Sequence, residues 1–201
     1  MPEVPQGPDL QAMRSASLLH AATPVHGPFI QRLLREGALD GNFEADIAGD
    51  SAEAGLFFAN LDLALATGFL RTPAADGSMS GQAHVAGYVY APRAGEPPVG
   101  FGLFKDLGPP GFELWLTGIA RETRGLGHGR AMLRELIATP PGRLTMLIRC
   151  VRASPQCDVA TRLFGELGFL PRRTTPSMVW LVSATAAPDL ADRIVSLPAT
   201  A

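Results

Sequence analysis

Residues 121 to 132 read RETRGLGHGRAM. Arg124, Gly125, Gly127, Gly129 and Arg130 crowd into seven positions, between an apolar run, FELWLTGIA (112–120), and a helix-like run, AMLRELIA (131–138). A strand is thus handed through glycines into a helix. A helix N-terminus offers unpaired N–H groups and about half a positive charge, which favours an anion. Glycines permit turn geometry and close approach of phosphate oxygens, and Arg124 and Arg130 can add charge-assisted bonds. Strand, R-x-x-G-x-G, helix is therefore a cradle for a pyrophosphate. On spacing alone a glycine-rich loop capping an ordinary helix remains the alternative. Two other nucleotide cradles are excluded. There is no G-x-x-x-x-G-K-[ST], and GLGHGR breaks the dinucleotide spacing, with no acid closing the next strand, RLTMLIRCV (143–151).

The elements around this loop set the fold class. Residues 1–24, rich in Pro, Gly and Ala, read as a loosely held arm with a short helix around LQAMRSASLLHAA. Pro28 opens a helix over PFIQRLLRE that Gly37 ends. Asp50 with Glu53 predicts a capping box for SAEAGLFFANLDLALAT, closed by Gly68 and apolar nearly all round, hence largely buried. Strands follow at 84–91, 99–107 and 112–120, the first two as a hairpin. The helix after the glycine loop runs to Ala138, stopped by Pro140 and Pro141. RLTMLIRCV is a buried strand. Ser154 caps and Pro155 starts a helix over PQCDVATRLFGEL, with Gly168 beyond its end. FLPRRT and SMVWLVS are two more strands, and a short helix from Asp189 is expected in the tail, 186–201. The order ααβββαβαββ implies an α/β chain with a central mixed sheet flanked by helices, its domain spanning 25–185.

Composition excludes several classes. With 46% hydrophobic and 18% charged residues the 201-residue chain is globular, and no apolar run is long enough for a membrane span. The N-terminus has neither a basic nor an apolar leader region, and two cysteines make no disulfide framework or zinc set, so a cytoplasmic, reduced protein is expected. The net charge of −2 hides an asymmetry. Seven acids and no Lys or Arg lie between Glu36 and Asp62, whereas ten arginines face four acids between Arg121 and Arg173. The acids could hold a cationic amine or simply be solvated. The basic half has no interleaved aromatics, so nucleic acid is not an expected partner.

RGLGHG resembles the Q/R-x-x-G-x-G/A signature of the GNAT superfamily of N-acetyltransferases. IARETRGLGHGRAMLRELI is similar to that family's V-x-P-x-x-R-G-x-G-x-G-x-x-L-L stretch, with Ile119 at the Val position. ATRLFGELGF (160–169) resembles its A-x-x-L-Y-x-x-x-G-F segment. The order of elements agrees from about residue 28 to 183. The resemblance implies a GNAT-like acyl-CoA N-acyltransferase fold, with acetyl-CoA or another acyl-CoA as co-substrate and no metal. Ile119 and Ala120 at the strand end, Arg124, Gly125, Leu126, Gly127, His128, Gly129 and Arg130 in the loop, and Phe164 would bind it. The pantetheine would pair like an extra strand with the strand ending near Ile119, splayed from RLTMLIRCV.

Acyl transfer to an amine needs a neutral amine, a stabilised carbonyl oxygen, a positioned acyl group and a proton for the leaving thiolate. A backbone N–H near Ile119 would serve the oxygen. Glu113, six residues earlier, matches a position where many family members carry a glutamate base; otherwise it is a strand-entry residue facing water. Two positions depart from the family. Phe164 stands where the tyrosine acid is usual, and Cys157 where an Asn is often found. The Cys157 thiol is a weak donor or a small core residue, and Ser154 is near in sequence. His128 touches a phosphate or points outward. His26 and His84 read as surface or strand-edge residues, Trp115 and Trp180 as core.

The expected activity is transfer of an acetyl group from acetyl-CoA to the primary amine of a small molecule or peptide, by direct attack in a ternary complex, since no nucleophile with a base partner is visible. The alternative is an acyl-CoA-binding sensor or interaction module without turnover. The hairpin and final strands could form a homodimer interface.

Overall fold

In the computed structural model, residues 18–72, 79–108, 111–139 and 145–184 are described. They form β1 (Leu19–Ala21), α1 (Gly27–Leu39), α2 (Ala52–Thr67), β2 (Phe69–Thr72), β3 (Gly81–Tyr90), β4 (Gly100–Asp106), β5 (Gly111–Ile119), α3 (His128–Ala138), β6 (Thr145–Val151), α4 (Cys157–Glu166), β7 (Phe169–Thr174) and β8 (Met178–Ser183). The sheet runs β1-β3-β4-β5-β6-β8-β7, with β2 also on β3. β5 and β6 are parallel, and every other pair is antiparallel. This is the mixed sheet that the element order implied.

Period-two alternation decides which helix each strand residue meets. On β4, Phe101 and Leu103 pack with Ile30 and Leu34 of α1 and Phe58 and Leu61 of α2. Phe104 points the other way, to Met132 and Leu136 of α3 and Phe164 of α4. A fully buried Leu or Phe stabilises by roughly 1.5–3 kcal/mol, whereas an exposed ion pair contributes about 0–1 kcal/mol, so these two apolar layers hold the helices. Gly100 and Gly102 let α3 sit close to the sheet. A Cβ on Gly102 would lie 2.5 Å from Leu136 Cδ1, and one on Gly100 2.7 Å from Met132 Sδ. Gly102→Ala is expected to destabilise the fold by about 1–3 kcal/mol. Denaturant titration checks this; an unmoved midpoint would mean that Leu136 yields freely.

Several local expectations are corrected. α1 continues past Gly37 to Leu39, because Gly37 serves packing: a Cβ there would stand 2.5 Å from the Phe43 ring. Ser51, not Asp50, caps α2, its hydroxyl accepting from the Ala54 N–H at 3.1 Å. The Glu53 carboxyl is held below its ordinary value by its own backbone N–H and by Ser51. Gly68 ends α2 at φ 79, as its position predicted. α2 buries only Ala54, Phe58, Leu61 and Ala64, and Leu56 is 73% exposed, since the helix covers the sheet with one face only. Leu19–Ala21, inside the expected arm, pair with β3 as a strand, and β2 is an unpredicted strand on the same edge. α4 starts at Cys157 rather than Pro155; Ser154 instead caps the preceding turn, its Oγ accepting from Gln156 N–H at 3.1 Å. The rest of the expected arm helix and the tail helix lie outside the described residues. Among the described residues, no helix is long and apolar enough to cross a membrane.

Candidate functional site

A bulge opens the middle of the sheet. Leu103 of β4 opposes Leu116 of β5, and Phe104 opposes Leu114, so Trp115 is one residue too many. A bulge bends and twists its strand. The parallel β5–β6 pairing ends at Leu114 opposite Ile148. Beyond it, β5 stays with β4 as far as Ile119 and β6 with β8 as far as Val151. The two strands part into a wedge open at their C-terminal ends. Ala120 N–H bonds to Val99 O at 2.8 Å. By alternation Thr117 and Ile119 turn their N–H and C=O groups into the wedge, and Ile119 O there accepts from Arg124 Nε at 3.3 Å. This edge suits an extended ligand carrying amides.

After β5 a single 3-10 turn, Arg121–Thr123, leads into the glycine loop. Gly125 and Gly127 have φ 80 and 84, a region that costs other L-residues about 1–2 kcal/mol. A Cβ on either would meet nothing within 4 Å, so space lies in front of them. Gly127 is the N-cap of α3, and the helix's first backbone bond runs from Ala131 N–H to Gly127 O. The N–H groups before Ala131 are therefore the donors an α-helix leaves for an external acceptor. A Cβ on Gly129 would stand 3.6 Å from Ile119 Cγ1, while Leu126 is 68% exposed. His128 does not point away: its ring lies 6.3 Å from that of Tyr90. Burial raises the Tyr90 hydroxyl's pKa above its usual range, with Glu135 adding to the shift.

The arginines have carboxylate partners. Arg124 Nη1 donates to Asp40 Oδ2 at 2.9 Å, Arg121 pairs with the other Asp40 oxygen, and Arg130 pairs with Glu166. The Arg124 hydrogen bond, helped by the charges of both arginines and opposed by burial, holds the Asp40 carboxyl below its ordinary range. These pairs are partly exposed, so an incoming phosphate can exchange with them at small cost. Much of the acid-rich segment is likewise occupied. Glu36 pairs with Arg32 at 2.9 Å, Asp50 with Arg35 at 3.0 Å, and Asp62 accepts from Gln31 at 2.9 Å. That weakens its claim to hold a cationic amine.

Glu113 is not a water-facing strand end. It is 2% exposed, on the α1–α2 face two residues before the bulge, and its Oε1 lies 2.5 Å from Arg149 Nε. Lys105 stands opposite it in register, 5% exposed, with Nζ 5.8 Å from the centre of the Trp115 ring. Burial lowers the Lys105 pKa, Glu113 opposes that shift and Arg149 adds to it. Sequence reasoning missed Arg149 and Lys105, and read Asp40 only as one of the seven acids of 36–62, without its arginine partners. The signal for the first two was a lone cation inside an apolar strand.

Cys157 and Phe164 lie in the α3–α4 core, 9% and 4% exposed. Phe164 meets Phe169 edge to face at 5.8 Å. Burial pushes the neighbouring Cys150 thiol up to about 11, with Cys157 adding to the shift and Thr161 opposing it. In the native protein at pH 8, iodoacetamide is therefore expected to leave Cys150 unlabelled, while the urea-unfolded chain labels readily. Rapid native labelling, read by peptide mass, would contradict this burial. Ser154 Oγ donates to Asn42 Oδ1 at 2.8 Å. Trp180 is 8% exposed and Trp115 packs on Phe57, both in apolar clusters. A groove of about 690 Å³ lies past the end of β6, lined by Arg152, Ala153, Thr174, Thr175 and Pro176; no residue there is an ordinary proton acceptor. Among the described residues, no three His, Cys, Asp or Glu side chains are grouped to hold a metal ion.

Neither a protein-family model nor a curated protein sequence matches the chain. Solved structures do. Ribosomal-protein-alanine N-acetyltransferase from Brucella melitensis is 17% identical at TM-score 0.56, covering 83% of this chain and 98% of its own. Spermidine N-acetyltransferase from Vibrio cholerae, in complex with CoA and spermine, is 16% identical at TM-score 0.54, with 82% and 92% covered. A Desulfovibrio desulfuricans protein assigned to the GNAT family of acetyltransferases is 14% identical at TM-score 0.52, with 84% and 98% covered.

Proposed function

We propose that this chain, which has the GNAT acyl-CoA N-acyltransferase fold, moves an acetyl group from acetyl-CoA to a primary amine by direct attack in a ternary complex. One observation carries the reading: the open edge of β5 is joined through a single 3-10 turn, Arg121–Thr123, to a glycine loop at a helix N-terminus. That continuity matches a ligand with an amide-bearing arm attached to a pyrophosphate. The open side of Gly125 and Gly127 leaves room for the phosphates. The N–H groups from Gly125 to Arg130 would hold them, with Arg124 and Arg130 exchanging carboxylates for phosphate oxygens. The backbone of Thr117 and Ile119 would pair with the pantetheine amides and set the thioester in the wedge.

In the reaction the amine nitrogen forms a bond to the thioester carbon, the carbonyl oxygen gains charge, and collapse expels the CoA thiolate. A β5 N–H facing the wedge would stabilise that oxygen, a donor of a kind worth about 3 kcal/mol. Glu113, buried and with its Oε1 bonded to Arg149, would take the amine's proton through water. Phe164 and Cys157, enclosed in the core, supply no proton to the thiolate, so solvent would. A free thiol's pKa near 8.5 makes that feasible at neutral pH. The same core placement is what favours the second reading, an acyl-CoA-binding sensor. The acceptor stays at the level of a primary amine, since the similar structures include enzymes named for a protein alanine and for spermidine.

The test is acetyl-CoA calorimetry followed by an amine panel with thiol-release detection. The expected result is binding, amine-dependent release, and a Glu113→Gln variant that binds while turning over about 100-fold more slowly. Tight binding with no amine acylated would move the reading to the sensor. An absence of binding would sink both.

A further inference from the structure

The turn after α1 ties together both lips of the wedge. Gly41, at φ 72, makes the bend, and backbone bonds fix it: Gly41 N–H to Ala38 O at 3.0 Å and Asn42 N–H to Gly37 O at 2.8 Å. On one side Asp40 grips Arg121 and Arg124, in the loop that follows β5. On the other, Asn42 Oδ1 accepts the Ser154 hydroxyl at 2.8 Å, in the loop that follows β6. Between them, a Cβ on Gly41 would stand 3.5 Å from Pro155 Cδ. Three successive residues thus bridge the two strand ends that the bulge separates.

We infer that Asp40–Gly41–Asn42 is a strap across the mouth of the wedge, and that Asp40 is the positioning residue that gates acyl-CoA entry by occupying Arg121 and Arg124. The inference rests on the acyl-CoA reading of the wedge. On that reading an arm running from the glycine loop into the wedge would pass between the two loops that this turn bridges. Asp40 places a carboxylate on guanidiniums at the edge of the proposed phosphate cradle, so the ligand's phosphates and Asp40 compete for the same cations. Arg124 is the shared partner: it reaches both Asp40 and Ile119 O, the last wedge-facing carbonyl of β5. Phosphate binding at Arg124 releases the Asp40 side of the strap, and the Asn42–Ser154 bond becomes its hinge side. No covalent step is involved.

The experiment compares the parent, Asp40→Asn, Arg124→Gln and the double variant, by acetyl-CoA calorimetry and stopped-flow association. Asp40→Asn keeps the side chain's shape and one acceptor oxygen while removing its charge, and thermal melts confirm that each variant is folded. The expected result is that Asp40→Asn binds at least about five-fold tighter, with the gain in the association rate, and that the gain disappears in the Arg124→Gln background. A merely structural Asp40 would instead give weaker binding. Equal or weaker binding by Asp40→Asn, or a gain that persists without Arg124, overturns the gate and leaves acyl-CoA binding standing. Failure of the parent and Asp40→Asn alike to bind acetyl-CoA overturns the acyl-CoA reading, and the gate with it.

Discussion

Titration of a Gly127→Glu variant with acetyl-CoA is expected to give no measurable binding from a protein that remains folded. The backbone at position 127 has φ 84, and a side chain there enters open space. The structural cost is then conformational, about 1–2 kcal/mol, within the 5–15 kcal/mol that domains generally hold in reserve. Part of that cost is offset, because a carboxylate at a helix N-terminus is favoured by about 0.3–1 kcal/mol. The same carboxylate would occupy the proposed anion site and repel phosphates, so a micromolar ligand should lose at least about 100-fold, or roughly 2.7 kcal/mol. Gly127→Ala carries the backbone strain without the charge and should lose far less. If alanine and glutamate weaken binding equally, the loop's shape matters and its anion chemistry does not. If neither weakens it, the pyrophosphate does not sit on this loop.

Arg149→Met should cost about 3 kcal/mol of stability. Removing one partner of a buried ion pair typically costs 3–5 kcal/mol, because the other charge is stranded. The lower end is expected here, since Lys105 remains opposite Glu113 across β4 and β5. For a chain of this size that corresponds to a fall of about 6–12 °C in Tm. The triple variant Lys105→Met, Glu113→Leu, Arg149→Met should recover most of the loss, because none of these three largely buried charges then remains. A melt of Arg149→Met that matches the parent would show that Lys105 alone satisfies Glu113.

The two sets of residues differ in how they could be read. Gly68, Gly125 and Gly127 stand at positive φ where the spacing of strand, glycine and helix called for turns, and the central strands fall close to their predicted ranges. Gly37 looked like the same signal and was not, because a helix-ending glycine and a glycine that admits a neighbouring ring are written with the same letter. α2 read as buried all round because its apolar residues circle the helix, yet Leu56 faces outward; periodicity reports which faces could be buried and not which faces are covered. Ser51 and Asp50 are both good caps by composition, and only the path of the chain into α2 chooses between them.

The sequence by itself determined α1 and α2, the order of elements from β3 to β8, the mixed sheet and the position of the glycine loop at the start of α3, while β1 and β2 were not legible in it. Each follows from interactions within a few residues: side-chain period, a left-handed φ, or a proline that stops a helix. Only the tertiary structure decided that Asp40 meets Arg124, 84 residues away, that Asn42 meets Ser154, 112 away, and that Glu113 meets Arg149, 36 away. It also decided that the bulge at Trp115 parts β5 from β6. Those pairings depend on which strands lie side by side and where a register slips, and the adjacency of strands is settled by burying both faces of one sheet at once.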